Sequence, residues 1–342
     1  MIDELEYYRE VDFPIFQQEF ANWLPKNIFD IHTHTWLKEH LRQPLTEERS
    51  GVVFEAESQS WEDLASDYAL LFPGKDIERL AFALPMTVID RQANNNYVAK
   101  HLDNQHNFGL YIPGLENSAD TLSKAIHQGK FIGFKPYMSY VTWKELEAIR
   151  ITDFLLPAQL EVANAYGLIV MLHIPRNGRL ADPDNLSDLQ QIARQYPKAH
   201  IILAHAGRAF SRSLMEFGLN KLGDQPNIYF DLSNVQDTSV INVLLKRYPL
   251  ERILYGTDIP MATMRGLMIM VNKQRIIITR KRFPWSVSSD RPGQLRCTFM
   301  GYEGLRAIKQ ACEDLGLGAN EVTAIFYDNA RTLVMQAAHI HQ

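Results

Sequence analysis

A chain of 342 residues that is 46% hydrophobic and 22% charged is an ordinary globular mixture, long enough for one large α/β domain or two smaller ones, and general disorder is not expected. A formal net charge of −5 gives no footing for nucleic acid, and two cysteines, Cys297 and Cys312, make neither a disulfide framework nor a zinc knuckle. The opening "MIDELEYYREVDF" lacks an apolar signal region, and no stretch approaches the ~20 apolar residues of a membrane span, so a soluble, cytoplasmic protein is expected.

After an N-terminal extension (1–27), the first strand-like run is "NIFDIHTH", from Asn27. It places His32 and His34 on one strand face, because side chains at i and i+2 point the same way. Two imidazoles there cost desolvation and repel each other when protonated, so something should compensate them. A metal ion fits, since neutral imidazole is a preferred ligand. A pair of hydrogen-bonded histidines at a loop start fits this stretch equally well. Further β-branched or aromatic runs follow: "RLAFALPM" from Arg79, "NFGLYIPG" from Asn107, "KFIGFKPY" from Lys130 and "GLIVMLHIP" from Gly167. "HIILAHAGR" from His200, "NIYFDLS" from Asn227 and "RILYGTDIP" from Arg252 complete a set of eight.

Helix-like segments such as "LLPAQLEVANAY", "NLSDLQQIARQYP" and "VINVLLKRYP" lie between them, ended by Gly167, Pro197 and Pro249. Continuous apolar strands alternating with helices imply a parallel sheet buried on both faces. Eight such units are the count for a closed (β/α)8 TIM barrel. A doubly wound open sheet would want a Gly-rich phosphate turn, and the sequence has no GxGxxG. Residues 35–78 and 259–300 fall outside the rhythm as insertions after strands one and eight, on the carboxyl-end rim. No composition break divides the chain, so a single domain is expected.

Ionisable residues collect at the strand ends. His32 and His34 end the first strand, Lys135 the fourth, His173 the fifth, His205 the sixth and Asp258 the eighth. Taken singly, each has a plain reading: a satisfied core histidine, a turn residue, a helix cap, an ion-paired lysine. Taken together, these ends converge on one mouth in a closed barrel, and their nitrogen and oxygen donors suit zinc or another divalent transition metal.

"DIHTH", "GFK", "MLHIP", "LAHAG", "YGTDIP" and "IFYDNARTL" resemble the amidohydrolase superfamily, specifically its amidohydrolase-related branch of metal-dependent TIM-barrel hydrolases. The resemblance implies that His32, His34 and Asp258 are metal ligands, with His173 the fifth-strand ligand of a mononuclear site. It implies that His205 is a catalytic group beside the metal, and that Asp258 also handles the proton. Lys135 stands where binuclear members carry a carboxylated lysine. One ion is therefore expected with an unmodified lysine, and two with a carboxylated one. The expected activity is hydrolysis of an amide, ester or lactone of a small substrate. A metal-dependent decarboxylase is the alternative. Many aromatic-acid decarboxylases of the branch have glutamate where His32 stands, which favours the hydrolase. A catalytically inactive binding barrel is the third reading.

Arg176 and Arg179 follow His173, and Arg208 and Arg212 follow His205, on rim loops where a guanidinium fork would read a substrate carboxylate. Arg176, Arg208 and Tyr137 are the candidate substrate residues, and Trp36 and Trp285 are further pocket candidates. "NKQRIIITRKRFPW" reads as a lid over an anionic substrate or as a subunit contact in a homo-oligomer. Asn329 and Arg331 read as structural anchors of the last helix.

Overall fold

The computed structural model describes residues 4–45, 57–272, 274–283, 285–288 and 295–341. Parts of both expected insertions, and the first residues of the N-terminal extension, lie outside these. All eight expected strands are present: β1 (Asn27–His34), β2 (Asp76–Phe82), β3 (Asn107–Leu110), β4 (Gly133–Phe134), β5 (Ile169–Leu172), β6 (His200–Leu203), β7 (Ile228–Asp231) and β8 (Ile253–Leu254). They form two parallel sheets, β1-β2-β3 and β4 through β8 in sequence order. One seam is joined by Ile132 N–H to Gly109 O and Tyr111 N–H to Gly133 O, each 2.9 Å. At the other seam Ile31 N–H donates to Tyr255 O (3.1 Å), Asp258 N–H to His32 O (2.7 Å) and His34 N–H to Ile259 O (3.1 Å). The eight strands thus make a ring. Among the described residues no helix is long and apolar enough to cross a membrane.

Strand alternation divides the core in two. Phe29, Ile31, Leu80, Phe82, Phe108, Leu110, Ile169, Met171, Ile202 and Leu254 fill the barrel interior, stoppered by Leu333 and Val334 of the last helix. Ile28, Val170, Leu172, Ile201, Leu203 and Ile253 point outward against the helices. Those helices start where the sequence supplies caps. Asp182 accepts from Asp184 N–H and Asn185 N–H before Pro183–Gln195, and Ser60 and Asp63 form a capping box before Trp61–Leu71. Gly167, at φ +66°, ends Pro157–Tyr166 in the left-handed region that a Cβ disfavours. Asn329 donates to Leu250 O and Ile253 O and Arg331 to Gln105 O, tying the last helix to the barrel floor.

After β8 the chain forms an antiparallel hairpin, β9 (Gly266–Val271) with β10 (Gln274–Thr279). Its stem is fastened to a helical run over residues 4–20. Fully buried Asp12 accepts from Arg265 Nε (2.8 Å) and Thr298 Oγ1 (2.8 Å), and Glu4 accepts from Arg280 Nη1 (3.0 Å). Arg280 also lies 3.8 Å from the Tyr7 ring centroid.

Candidate metal centre and active site

A regular β1 could not place both Phe29/Ile31 and His32/His34 inside the barrel, because alternation would send the histidines outward. The β1–β2 register shifts between Asp30 and Thr33, and this irregularity moves His32 and His34 to the interior face. Asp30 secures it. Its fully buried carboxylate accepts from His32 N–H (3.0 Å), Thr257 N–H (2.9 Å), Tyr68 Oη (2.7 Å) and Thr257 Oγ1. Burial pushes the Asp30 carboxyl up to about 6 despite these donors. On β6 the same problem is solved by a turn. His205, Ala206 and Arg208 have φ of 54°, 50° and 56°, so the chain turns within "AHAG" and brings the His205 ring against His32. Asp258 (φ 58°) and Asn234 (φ 57°) are held in the same left-handed region, sustained by the packing around them.

These devices bring the expected residues together. His32 Nε2 and His34 Nε2 lie 3.3 and 3.2 Å from Asp258 Oδ1, and His205 Nε2 lies 4.0 Å from Asp258 Oδ2. The His32 and His205 rings stack at 4.9 Å, and His205 meets His173 edge-on at 5.3 Å. Donor atoms of His32, His205 and Asp258 all fall within 4.8 Å of one another. His205, expected as a catalytic group beside the metal, is thus grouped with His32 and Asp258, while the expected ligands His34 and His173 fall outside that group. His173 packs its ring on Tyr137 at 5.1 Å, and its Nδ1 has no partner among the described residues.

The hydrogen-bond partners test whether this set fits a metal. His32 Nδ1 is 2.6 Å from Asp231 Oδ2, and His34 Nδ1 is 3.3 Å from Ala83 O. His205 Nδ1 is 2.8 Å from Ser233 Oγ, whose own hydrogen goes to Asp231 Oδ2 at 2.7 Å. A carbonyl, a carboxylate and a hydroxyl already donating can only accept, so each Nδ1 carries the ring hydrogen. In the neutral rings every Nε2 then presents a lone pair toward Asp258. Burial lowers His34, and lowers His205 to about 3, which keeps both neutral. Lone pairs and an anion facing one another at this range make a donor set that suits a divalent cation. The residues fit the ion that the family implies.

The centre opens into a cavity of about 240 Å³, lined also by Lys135, Tyr137, His173, Arg208, Asn234 and Arg275. Leu84, Pro85, Met86 and Met261 give it an apolar wall. Lys135 Nζ is buried, has no hydrogen-bond partner among the described residues and lies 4.9 Å from the Phe82 ring centroid; burial pushes it down to about 8. Burial also lifts Tyr137 to about 12. Asn234 donates to Asp258 Oδ2 in a close contact.

Arg208 reaches this cavity and Arg176 does not. Arg176 pairs with Asp182 (3.0 Å) and Asp184 (3.1 Å) and donates to Glu147 O, which consumes its fork. Arg212 pairs with Glu216 in a surface helix. Trp36 is fully buried against Leu84, Val88 and Ile89, and Trp285 stacks on Phe283, so both are packing residues. Asp231, Ser233, Asn234 and Arg275 were not among the sequence candidates. Asp231 ends the seventh apolar run as His173 ends the fifth, a signal open to sequence reasoning.

An eight-stranded parallel barrel with an imidazole–carboxylate cluster at the carboxyl ends of its strands defines a class of enzyme scaffold suited to metal-assisted chemistry. The family model described as Amidohydrolase matches residues 29–334, and the chain belongs to that family. A search of curated proteins finds no match. Among solved structures, the chain resembles one from Pseudomonas putida assigned as a 2-pyrone-4,6-dicarboxylic acid hydrolase (TM-score 0.57, 15% identity, covering 92% of this chain and 99% of that one). It also resembles a 4-oxalomesaconate hydratase from Rhodopseudomonas palustris (0.53, 14%, 90% and 96%) and a 2,6-dihydroxybenzoate decarboxylase solved with 2,6-dihydroxybenzoate (0.52, 14%, 91% and 99%). At these identities the likeness is one of fold.

Proposed function

We propose that this chain is a metal-dependent hydrolase that opens an amide, ester or lactone carbonyl of a small anionic substrate. The observation that carries the reading is the convergence of three imidazole Nε2 lone pairs on Asp258, with every Nδ1 hydrogen already committed elsewhere. His32, His34 and Asp258 would hold the ion, zinc by donor chemistry, with His205 or His173 completing the set. When bound, the ion supplies Lewis acidity, polarising a carbonyl and acidifying water. Asp258 has one oxygen toward His32 and His34 and the other toward Asn234 and His205. Its carboxylate takes the proton from the attacking water and returns it to the leaving group. Asn234 holds that carboxylate in orientation. Arg208 receives a substrate carboxylate, and the apolar wall at Leu84 and Met261 excludes competing water.

Lys135 serves as an anion-binding cation, or as a second-metal ligand if carboxylated. Metal analysis of purified protein separates the two, at about one or about two ions per chain. Asp258→Asn keeps the shape and one donor oxygen. It should retain most of its metal while turnover on the best of a panel of lactones, acyl amides and aromatic acids falls ~10²–10⁴-fold. Near-normal turnover would refute the proton role. Hydrolysis in ¹⁸O-labelled water should label the cleaved carbonyl product. Deuterium on the carbon that lost CO₂, after reaction in deuterated water, would assign the centre to a decarboxylase instead.

A further inference from the structure

The β9/β10 hairpin stands outside the barrel repeat, yet Arg275 on it lines the same cavity as His32, Lys135 and Asp258. Arg275 also lines an adjoining cavity of about 510 Å³, bounded by Phe210, residues 234–239 and residues 267–270. Asn234 and Arg275 are common to both, so the two spaces meet at this guanidinium. Arg275 lies 5.4 Å from the Phe210 ring centroid, and Arg179 lies 5.2 Å from the same ring. Arg208, largely buried, donates to Ile174 O at 2.7 Å, and Arg179 donates to Arg208 O at 3.3 Å. None of these three arginines has an ion-pair partner among the described residues, whereas Arg176 in the same rim has two.

Three guanidiniums gathered without a counter-ion among the described residues are costly. Burial, then mutual repulsion, lowers Arg179 and takes Arg208 to about 10, and burial lowers Arg275. The acids that act on them are already engaged. Asp258, the acid that acts on Arg275, is held among the histidines and Asn234. Glu147, which acts on Arg208, accepts from Asn177 N–H at 3.1 Å. Lys135 adds a fourth cation without a hydrogen-bond partner deeper in the cavity. The positive charge therefore stands at two levels of exposure, at fully buried Lys135 and at the less buried Arg208 and Arg275.

We propose that the substrate is a dicarboxylate, with one carboxylate at the Lys135 level and the second held between Arg208 and Arg275, making the hairpin arginine a specificity-determining residue. The proposal rests on the reading of this cavity as the reaction site and adds the second anionic group. Arg275 does no chemistry; it selects which acids dwell in the cavity.

Calorimetric titration of the purified full-length chain with glutarate and with pentanoate, which match in length and differ by one carboxylate, tests it. Glutarate should bind on the order of tenfold or more tightly than pentanoate. Arg275→Met should abolish that advantage and leave pentanoate unchanged, and Arg275→Lys should restore part of it. Equal binding of the two acids by the wild-type protein would overturn the proposal even if the Met variant failed to fold. So would an equal loss for both acids in Arg275→Met. Turnover on the lactone and amide panel is read separately. A glutarate preference without turnover faults the hydrolase reading alone, and turnover without that preference faults the dicarboxylate alone.

Discussion

Replacing Asp231 by Asn leaves the shape of the centre almost untouched and should still weaken its hold on a metal. Asp231 is fully buried. Its Oδ2 accepts from His32 Nδ1 (2.6 Å) and Ser233 Oγ (2.7 Å), and its Oδ1 accepts from Ser233 N–H (2.7 Å). Every contact is a donor pointing at an acceptor, and only a carboxylate accepts at both ends. An asparagine must set its NH₂ against one of these donors. Facing His32, it forces the ring hydrogen onto Nε2 and removes the lone pair offered to the metal. Facing Ser233, it leaves two buried donors opposed. A hydrogen bond involving a charged group is worth ~1.5–3 kcal/mol, and a factor of ten in affinity corresponds to ~1.4 kcal/mol. The loss is therefore roughly tenfold to a hundredfold in metal affinity, the range expected for a partner that orients a ligand. Competition for Zn²⁺ against a chromophoric chelator at neutral pH measures it, with His32→Ala as the lower limit. An Asp231→Asn protein that melts like wild type and binds Zn²⁺ equally well would refute the tautomer assignment.

Two further outcomes follow from groups away from the ligands. Burial lifts the Asp67 carboxyl to about 6 from its ordinary 3.8, although Gln59 Nε2 donates to it at 2.8 Å. The native state then holds this proton more tightly than the unfolded chain, so the Asp67 contribution to stability is fully present below about pH 4 and is lost as pH rises through 6. Asp67→Asn should remove that loss: its melting temperature relative to wild type should climb between pH 4 and 7, and a flat difference would count against the buried acid. Arg208→Ala should raise KM for the true substrate by about tenfold to a hundredfold, while Arg176→Ala, already saturated by Asp182 and Asp184, should leave KM unchanged. The reverse order would exchange their roles.

The strands were legible because a strand buried on both faces reads as an apolar run, and "IVML" at β5 or "HIIL" at β6 is too short and too uniformly apolar for a surface helix or a loop. Their ends were legible because burying a histidine or lysine at such a place is costly without a purpose. The course of the chain around the centre was less so. Nothing in "FDIHTH" announces that the register shifts after Asp30, and nothing in "LAHAG" announces consecutive left-handed residues. Both depend on partners distant in sequence, Thr257 and Tyr68 for the first and Ser233 for the second. Arg176 and Arg208 look equivalent as loop arginines, and the acids that occupy Arg176 belong to the cap and first turn of the following helix. Arg275 lay inside a segment whose basic character was visible. Its direction depends on a hairpin register, and a one-residue slip would have pointed it to solvent.

The fastening of the hairpin stem to the N-terminal helix has a consequence for how this scaffold can change over time. A two-stranded ribbon is at best marginally stable alone, and this one takes its position from Asp12 and Glu4 holding Arg265 and Arg280. None of those four residues belongs to the strand ends that gather the histidines and Asp258. The hairpin that carries Arg275 and the strand ends that carry the histidines and Asp258 thus answer to separate sets of mutations. Hairpin sequence and length can drift while the ring of strands stays fixed, provided the clamp at its root is kept. In this architecture a new preference can be explored without first giving up the old chemistry.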